Sequence, residues 1–145
     1  MKTKIDEALA KMRDRYNCTQ SVLFAFSKDL RLDPDTALRL GCGLGAGMGR
    51  KGEVCGAVTG GILVLGLKYG RGEKEDRSAT ETTYAKTQQL MDEFKRRHGT
   101  FICRELLNGC DLSTPEGQQF FIDNDFGRRI CWPCVESVIK ILHEI

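Results

Sequence analysis

Glu53-Val54-Cys55-Gly56-Ala57-Val58-Thr59-Gly60-Gly61-Ile62-Leu63-Val64-Leu65-Gly66-Leu67-Lys68-Tyr69-Gly70 is the stretch on which the fold turns. Cys55, Val58, Ile62 and Leu65 recur at three- and four-residue spacing, which places them on one face of a helix. The apolar part, Val54 to Leu67, is about fourteen residues long and interrupted by glycine, short of the roughly 20 residues a membrane-spanning helix needs. It reads as a helix buried in a soluble core. Gly56 and Gly60 lie one turn apart and leave bare backbone that a second helix or a ligand can approach closely.

Helical periodicity extends in both directions from this segment. Ile5, Ala8, Met12 and Tyr16 form one stripe of an amphipathic helix over residues 3–16. Asn17 is a cap for a second helix that Cys18 opens and that carries Val22, Ala25 and Phe26 inward. Asp33-Pro34-Asp35 starts a short helix to about Leu40, because Pro34 suits the first helical position. Tyr84, Thr87, Met91 and Phe94 mark a helix of about twenty residues after a polar linker at Arg71–Arg77. Phe101–Leu107, Ser113–Phe121 and Ile130–Ile145 supply three more helical segments. No period-two run demands a sheet and no internal repeat is present, so the expected fold is all-α: a single domain over residues 1–145, with six to eight helices and one glycine-rich loop.

That loop, Gly41-Cys42-Gly43-Leu44-Gly45-Ala46-Gly47-Met48-Gly49-Arg50-Lys51-Gly52, has glycine at nearly every second position, which disfavours a regular helix. Gly47 to Gly52 matches the G-x-G-x-x-G fingerprint of dinucleotide sites. A strand must precede that fingerprint, whereas a helix precedes it here, so nucleotide binding is not expected.

Twenty-two Lys and Arg against twenty Asp and Glu, interleaved along the chain, leave a net charge of +2 and no electrostatic footprint for nucleic acid. Lys95-Arg96-Arg97-His98 ends a helix, where cations complement the macrodipole. His98 and His143 fall near helix C-termini and read as dipole partners or surface residues rather than metal ligands. The charged N-terminal segment lacks a secretory core, so a cytoplasmic location and no membrane insertion are expected.

Seven cysteines are many for such a chain, and a reducing cytosol makes structural disulfides a poor explanation. Cys18, Cys55, Cys103 and Cys131 occupy four separate helical segments, each on the inward side. Taken singly, each is an ordinary small core residue. Taken together, four thiolates are the ligand set of an iron-sulfur cluster or of a structural zinc. Cys131-Trp132-Pro133-Cys134 is a CxxC motif at a helix start, a pattern used in thiol-disulfide exchange, although the strand that precedes it in thioredoxin-like proteins is missing. No Ser-His-Asp set or paired-carboxylate site is present.

Cys18, the Cys55-Gly56-Ala57-Val58-Thr59-Gly60 box, Leu65-Gly66-Leu67-Lys68-Tyr69-Gly70, Cys103-Arg104-Glu105-Leu106-Leu107 and Cys131 resemble the bacterial and archaeal redox proteins with the C…CGAxxG…C…C pattern. The resemblance covers nearly the whole chain. It implies a small helical protein holding an iron-sulfur cluster, [2Fe-2S] or [4Fe-4S], through Cys18, Cys55, Cys103 and Cys131. Cys42, Cys110 and Cys134 lie outside the pattern. A similar domain accompanies split-Soret cytochromes, but this chain lacks the CxxCH needed for covalent haem. An electron carrier serving an undetermined oxidoreductase, possible as a homodimer, is the expectation. A thiol-disulfide protein using Cys131 and Cys134 and a zinc-stabilised or metal-free interaction module are the alternatives.

Overall fold

The computed structural model describes residues 1–145, and it is all-α. Eight right-handed helices follow in order: α1 Lys2–Arg13, α2 Cys18–Ser27, α3 Pro34–Gly41, α4 Gly56–Tyr69, α5 Ser78–His98, α6 Cys103–Leu106, α7 Pro115–Asp123 and α8 Trp132–Glu144. The start signals act as the sequence suggests. The Asn17 side chain accepts from the Gln20 N–H while the Gln20 side chain accepts from the Asn17 N–H, a reciprocal capping box. Asp33 accepts from the Thr36 N–H and Thr114 from the Gly117 N–H, each just before a proline.

Helix ends depart more from expectation. The first helix stops at Arg13 rather than at Tyr16, because Arg15 adopts a left-handed conformation (φ 68°) and the Tyr16 N–H turns back to the Lys11 carbonyl. The pattern gives no warning, since neither glycine nor asparagine marks the turn. Helix α4 begins at Gly56 rather than Glu53, and α6 at Cys103 rather than Phe101, for one shared reason. Residues 52–55 run antiparallel to 101–104, with Cys55 N–H donating to the Phe101 carbonyl (2.8 Å), Cys103 N–H to the Glu53 carbonyl (2.6 Å) and Arg104 N–H to the Gly52 carbonyl (3.1 Å). The last helix is preceded by a wider π-type turn over Gly127–Cys131.

The main apolar cluster is built by α2, α4, α5 and α8, around Phe26, Leu23, Val58, Leu65, Phe94 and Ile139. A smaller one, Cys103, Leu107, Cys110 and Phe126, sits under the segment from α6 to the π turn. The basic run at the end of α5 is more specific than a dipole complement. Arg96 and Arg97 both bond Glu93, Arg97 reaches Glu144 of α8 at 2.6 Å, and His98 stacks on Phe94 at 4.5 Å and bonds Ser137 at 2.8 Å. No helix is long and apolar enough to cross a membrane.

Helices α2 and α4 lie so close that a Cβ on Gly60 would stand 2.9 Å from the Val22 Cβ and 3.0 Å from the Thr19 carbonyl oxygen. Thr19 uses the proximity, bonding the Gly56 carbonyl at 2.9 Å. Gly66, on the exposed outer side of the same helix, has nothing within 4 Å of its missing Cβ. Gly60→Ala is therefore expected to destabilise the fold by about 1–3 kcal/mol through overpacking. Gly66→Ala should stabilise it by about 0.5–1 kcal/mol. Urea titration of the two variants checks the opposite signs.

Candidate functional site

A cavity of about 600 Å³ opens between the two apolar clusters. Cys18, Cys55, Cys103, Cys131 and Cys134 all line it. Four of these are the four cysteines singled out from the sequence, now brought together from α2, α4, α6 and the π turn. Cys55 and Cys103 are buried, and Cys18 and Cys131 are half-buried. The fifth, Cys134, is 2% exposed and stood in the sequence outside the four-cysteine pattern, as the second member of the CxxC motif. Its position three residues after Cys131 puts both on one helical face, and that spacing was the available signal.

Local structure explains why each thiol arrives there. Cys18 is the first residue of α2 and is held by the Asn17 capping box. Cys55 immediately precedes α4, so its side chain faces the free N–H groups at the start of that helix. Cys103 begins the single turn of α6 and is set beside Cys55 by the antiparallel pairing of their segments. Cys131 is not at a free helix start as the sequence suggests. The π turn Gly127–Cys131 runs directly into α8, and the Trp132 N–H is bonded back to the Gly127 carbonyl.

The glycine-rich loop forms one wall. A 3₁₀ turn at Cys42–Leu44 gives way to five consecutive left-handed residues, Ala46 (φ 55°), Gly47 (66°), Met48 (70°), Gly49 (59°) and Arg50 (75°). L-residues rarely string such conformations together, because each non-glycine costs about 1–2 kcal/mol. The turn is closed by Gly49 N–H donating to the Gly45 carbonyl at 2.8 Å and Glu53 N–H to the Gly47 carbonyl at 3.1 Å. Gly47 cannot be replaced without a clash, since a Cβ there would lie 2.8 Å from the Cys103 Cβ. Ala46 and Arg50 line the cavity. The G-x-G-x-x-G match thus falls on a left-handed turn preceded by helix, unlike a dinucleotide loop.

The thiols are electrostatically coupled in pairs. The neighbouring Cys134 thiol, with the Ala57 and Val58 amides, holds the Cys55 thiol below the ordinary range. The same neighbour relation, reinforced by burial, pushes Cys134 up. Cys18 is raised by the Cys131 thiol beside it and then by burial. Burial, followed by the neighbouring Cys55, Cys131 and Cys110, pushes Cys103 up to about 12. No three Cys, His, Asp or Glu side chains converge where one metal ion could be held. The two remaining cysteines stand apart. Cys42 is exposed, and Cys110 is buried in the smaller cluster with its thiol bonded to the Gly117 carbonyl at 3.1 Å. Neither histidine lines the cavity.

Residues 16–145 match the family described as "Putative redox-active protein (C_GCAxxG_C_C)". The chain belongs to this family. The matched region includes all seven cysteines and every element that builds the cavity of this C_GCAxxG_C_C protein except α1 and Arg15. No curated protein and no solved structure matches the chain.

In the metal-free protein, Cys103 binds its proton more tightly folded, at about 12, than in a chain where its ordinary value is 9.0. Between these values the unfolded state loses the proton and the folded state keeps it, so stability present below about pH 9 is lost as pH rises toward 12. Denaturant midpoints compared at pH 8 and pH 10.5 should fall for the parent chain, and fall less for Cys103→Ser.

Proposed function

We propose that this protein is an electron carrier whose cavity holds an iron-sulfur cluster through Cys18, Cys55, Cys103 and Cys131, exchanging electrons with an oxidoreductase. The observation that carries this reading is the spread of thiols around one cavity. A single zinc ion needs its sulfur ligands about 3.8 Å apart, the edge of a tetrahedron with 2.3 Å bonds. The absence of any such three-residue group argues against one ion. A polynuclear cluster attaches its thiolates to different metal atoms and accepts a wider ring. Thiol chemistry, the cavity and the membership of a redox-active family all suit that group.

A bound cluster would supply one-electron chemistry. The protein's own part is to present thiolates, exclude water and tune the site. Cys55 is the thiol best prepared to ligate, while Cys18 and Cys103 must release protons first, so loading should improve with rising pH. The amides at the start of α4 lie toward the Cys55 sulfur and would stabilise negative charge on it.

Anaerobically purified or reconstituted protein should contain iron and acid-labile sulfide and absorb in the visible. Cys55→Ser should abolish at least about nine-tenths of that absorbance, since the cluster's binding depends on a complete thiolate set. Cys134→Ser, which keeps a hydroxyl donor to Cys55, should retain most of it. Protein without iron and sulfide after reconstitution, or equal losses in the two variants, would sink the assignment.

A thiol-disulfide role is the second reading, and the crowding of five thiols around one cavity favours it in altered form. The thiol that acts most strongly on Cys134 is Cys55, and the one that acts most strongly on Cys18 is Cys131, so these neighbours run across the CxxC motif rather than within it. Diamide oxidation of metal-free protein followed by peptide mapping is expected to yield Cys55–Cys134 and Cys18–Cys131 links. A dominant Cys131–Cys134 disulfide would contradict this pairing.

A further inference from the structure

The cavity has the size and lining of a small-molecule site, about 600 Å³ with mostly apolar walls and few polar groups. Beyond the thiols its wall includes Met12, Tyr16, Leu112, Phe121, Ile122 and Trp132. The only charged residues that line it are Arg15 and Arg50, and no carboxylate does. Two more guanidinium groups, those of Arg13 and Arg128, lie over the ring of Trp132, itself a lining residue, at 5.2 and 5.4 Å from its centre. None of these four arginines takes part in the seven ion pairs of the structure. Arg15 and Arg50 thus bring positive charge to the cavity wall with no carboxylate lining it.

Backbone conformation adds an independent mark. Arg15 and Arg50 both have left-handed backbones, φ 68° and 75°. Each is costly for a side-chain-bearing residue, and such outliers gather at ligand clamps. They come from different segments, the turn after α1 and the glycine-rich turn, and both line the same cavity.

We propose that the cavity binds a small organic anion beside the thiols, its acidic group held by Arg15 and Arg50 and its apolar or aromatic body against Tyr16, Phe121 and Trp132. Planar guanidinium groups suit a carboxylate, sulfonate or phosphate, and aromatic walls suit an unsaturated body. The inference shares its cavity with the redox reading but does not depend on it for binding.

Anilinonaphthalene sulfonate and phenylnaphthylamine share an aromatic body and differ by the sulfonate. Fluorescence titration of the full-length protein with each should give saturable binding of one sulfonate probe per chain, about tenfold tighter than the neutral probe. The Arg15→Gln/Arg50→Gln double variant, with unchanged circular dichroism, should lose that preference and bind both probes alike. Unsaturable binding, equal affinity of the parent protein for both probes, or a preference that survives the double substitution would overturn the proposal. Iron and sulfide are measured on the same samples. Sulfonate selectivity in protein that takes up no iron removes the cluster and leaves the anion site standing, and iron-loaded protein without selectivity does the reverse.

Discussion

Three backbone hydrogen bonds between residues 52–55 and 101–104 hold the site together. They are the only strand-like pairing in a helical molecule, centred on Val54 and Ile102. Helices bury their polar backbone within themselves, so helical contacts alone set distances between cylinders but not the register of two residues at helix ends. Direct backbone pairing sets that register. It places Cys55, at the edge of the main core, next to Cys103, at the edge of the smaller cluster, and the cavity is the seam it leaves.

The seam is paid for by unusual backbone on one side and close packing on the other. The left-handed turn Ala46–Arg50 approaches Cys103 only because Gly47 has no side chain, and α2 approaches α4 only because Gly56 and Gly60 have none. Cys18 rides on α2 and Cys55 precedes α4, so the intimacy of these two helices fixes one half of the thiol ring. Their surroundings then differentiate chemically identical side chains. Cys55 gains the neighbouring Cys134 thiol and amides at a helix start, and its thiolate is favoured, whereas Cys103, lacking both, stays protonated. Identical residues thus acquire distinct roles from the groups that face them.

Much of the architecture was readable without coordinates. Apolar periodicity or a start signal gives every helix, and the caps at Asn17, Asp33 and Thr114 operate as their side-chain chemistry dictates. Element boundaries were less legible where a long-range partner intervened, as at Glu53–Cys55 and Phe101–Ile102, whose helical pattern yields to pairing with each other. The end of α1 was hidden too, because Arg15 adopts a glycine-like conformation that no local preference announces. Cys131 looked like the opening residue of a helix, yet the π turn continues the coil behind it.

For the site, the sequence by itself determined which helices exist, that their inward faces carry cysteines, and which family the C…CGAxxG…C…C spacing belongs to, because these depend on local periodicity and fixed intervals along the chain. Only the tertiary structure decided that Cys134 joins the cavity while Cys110 and Cys42 do not, that Cys55 acts on Cys134 and Cys131 on Cys18 across the CxxC motif, and that Arg15 and Arg50 line one cavity. Those facts depend on which helix ends are brought together across separations of 35 to 113 residues, and no periodicity within a segment encodes that distance.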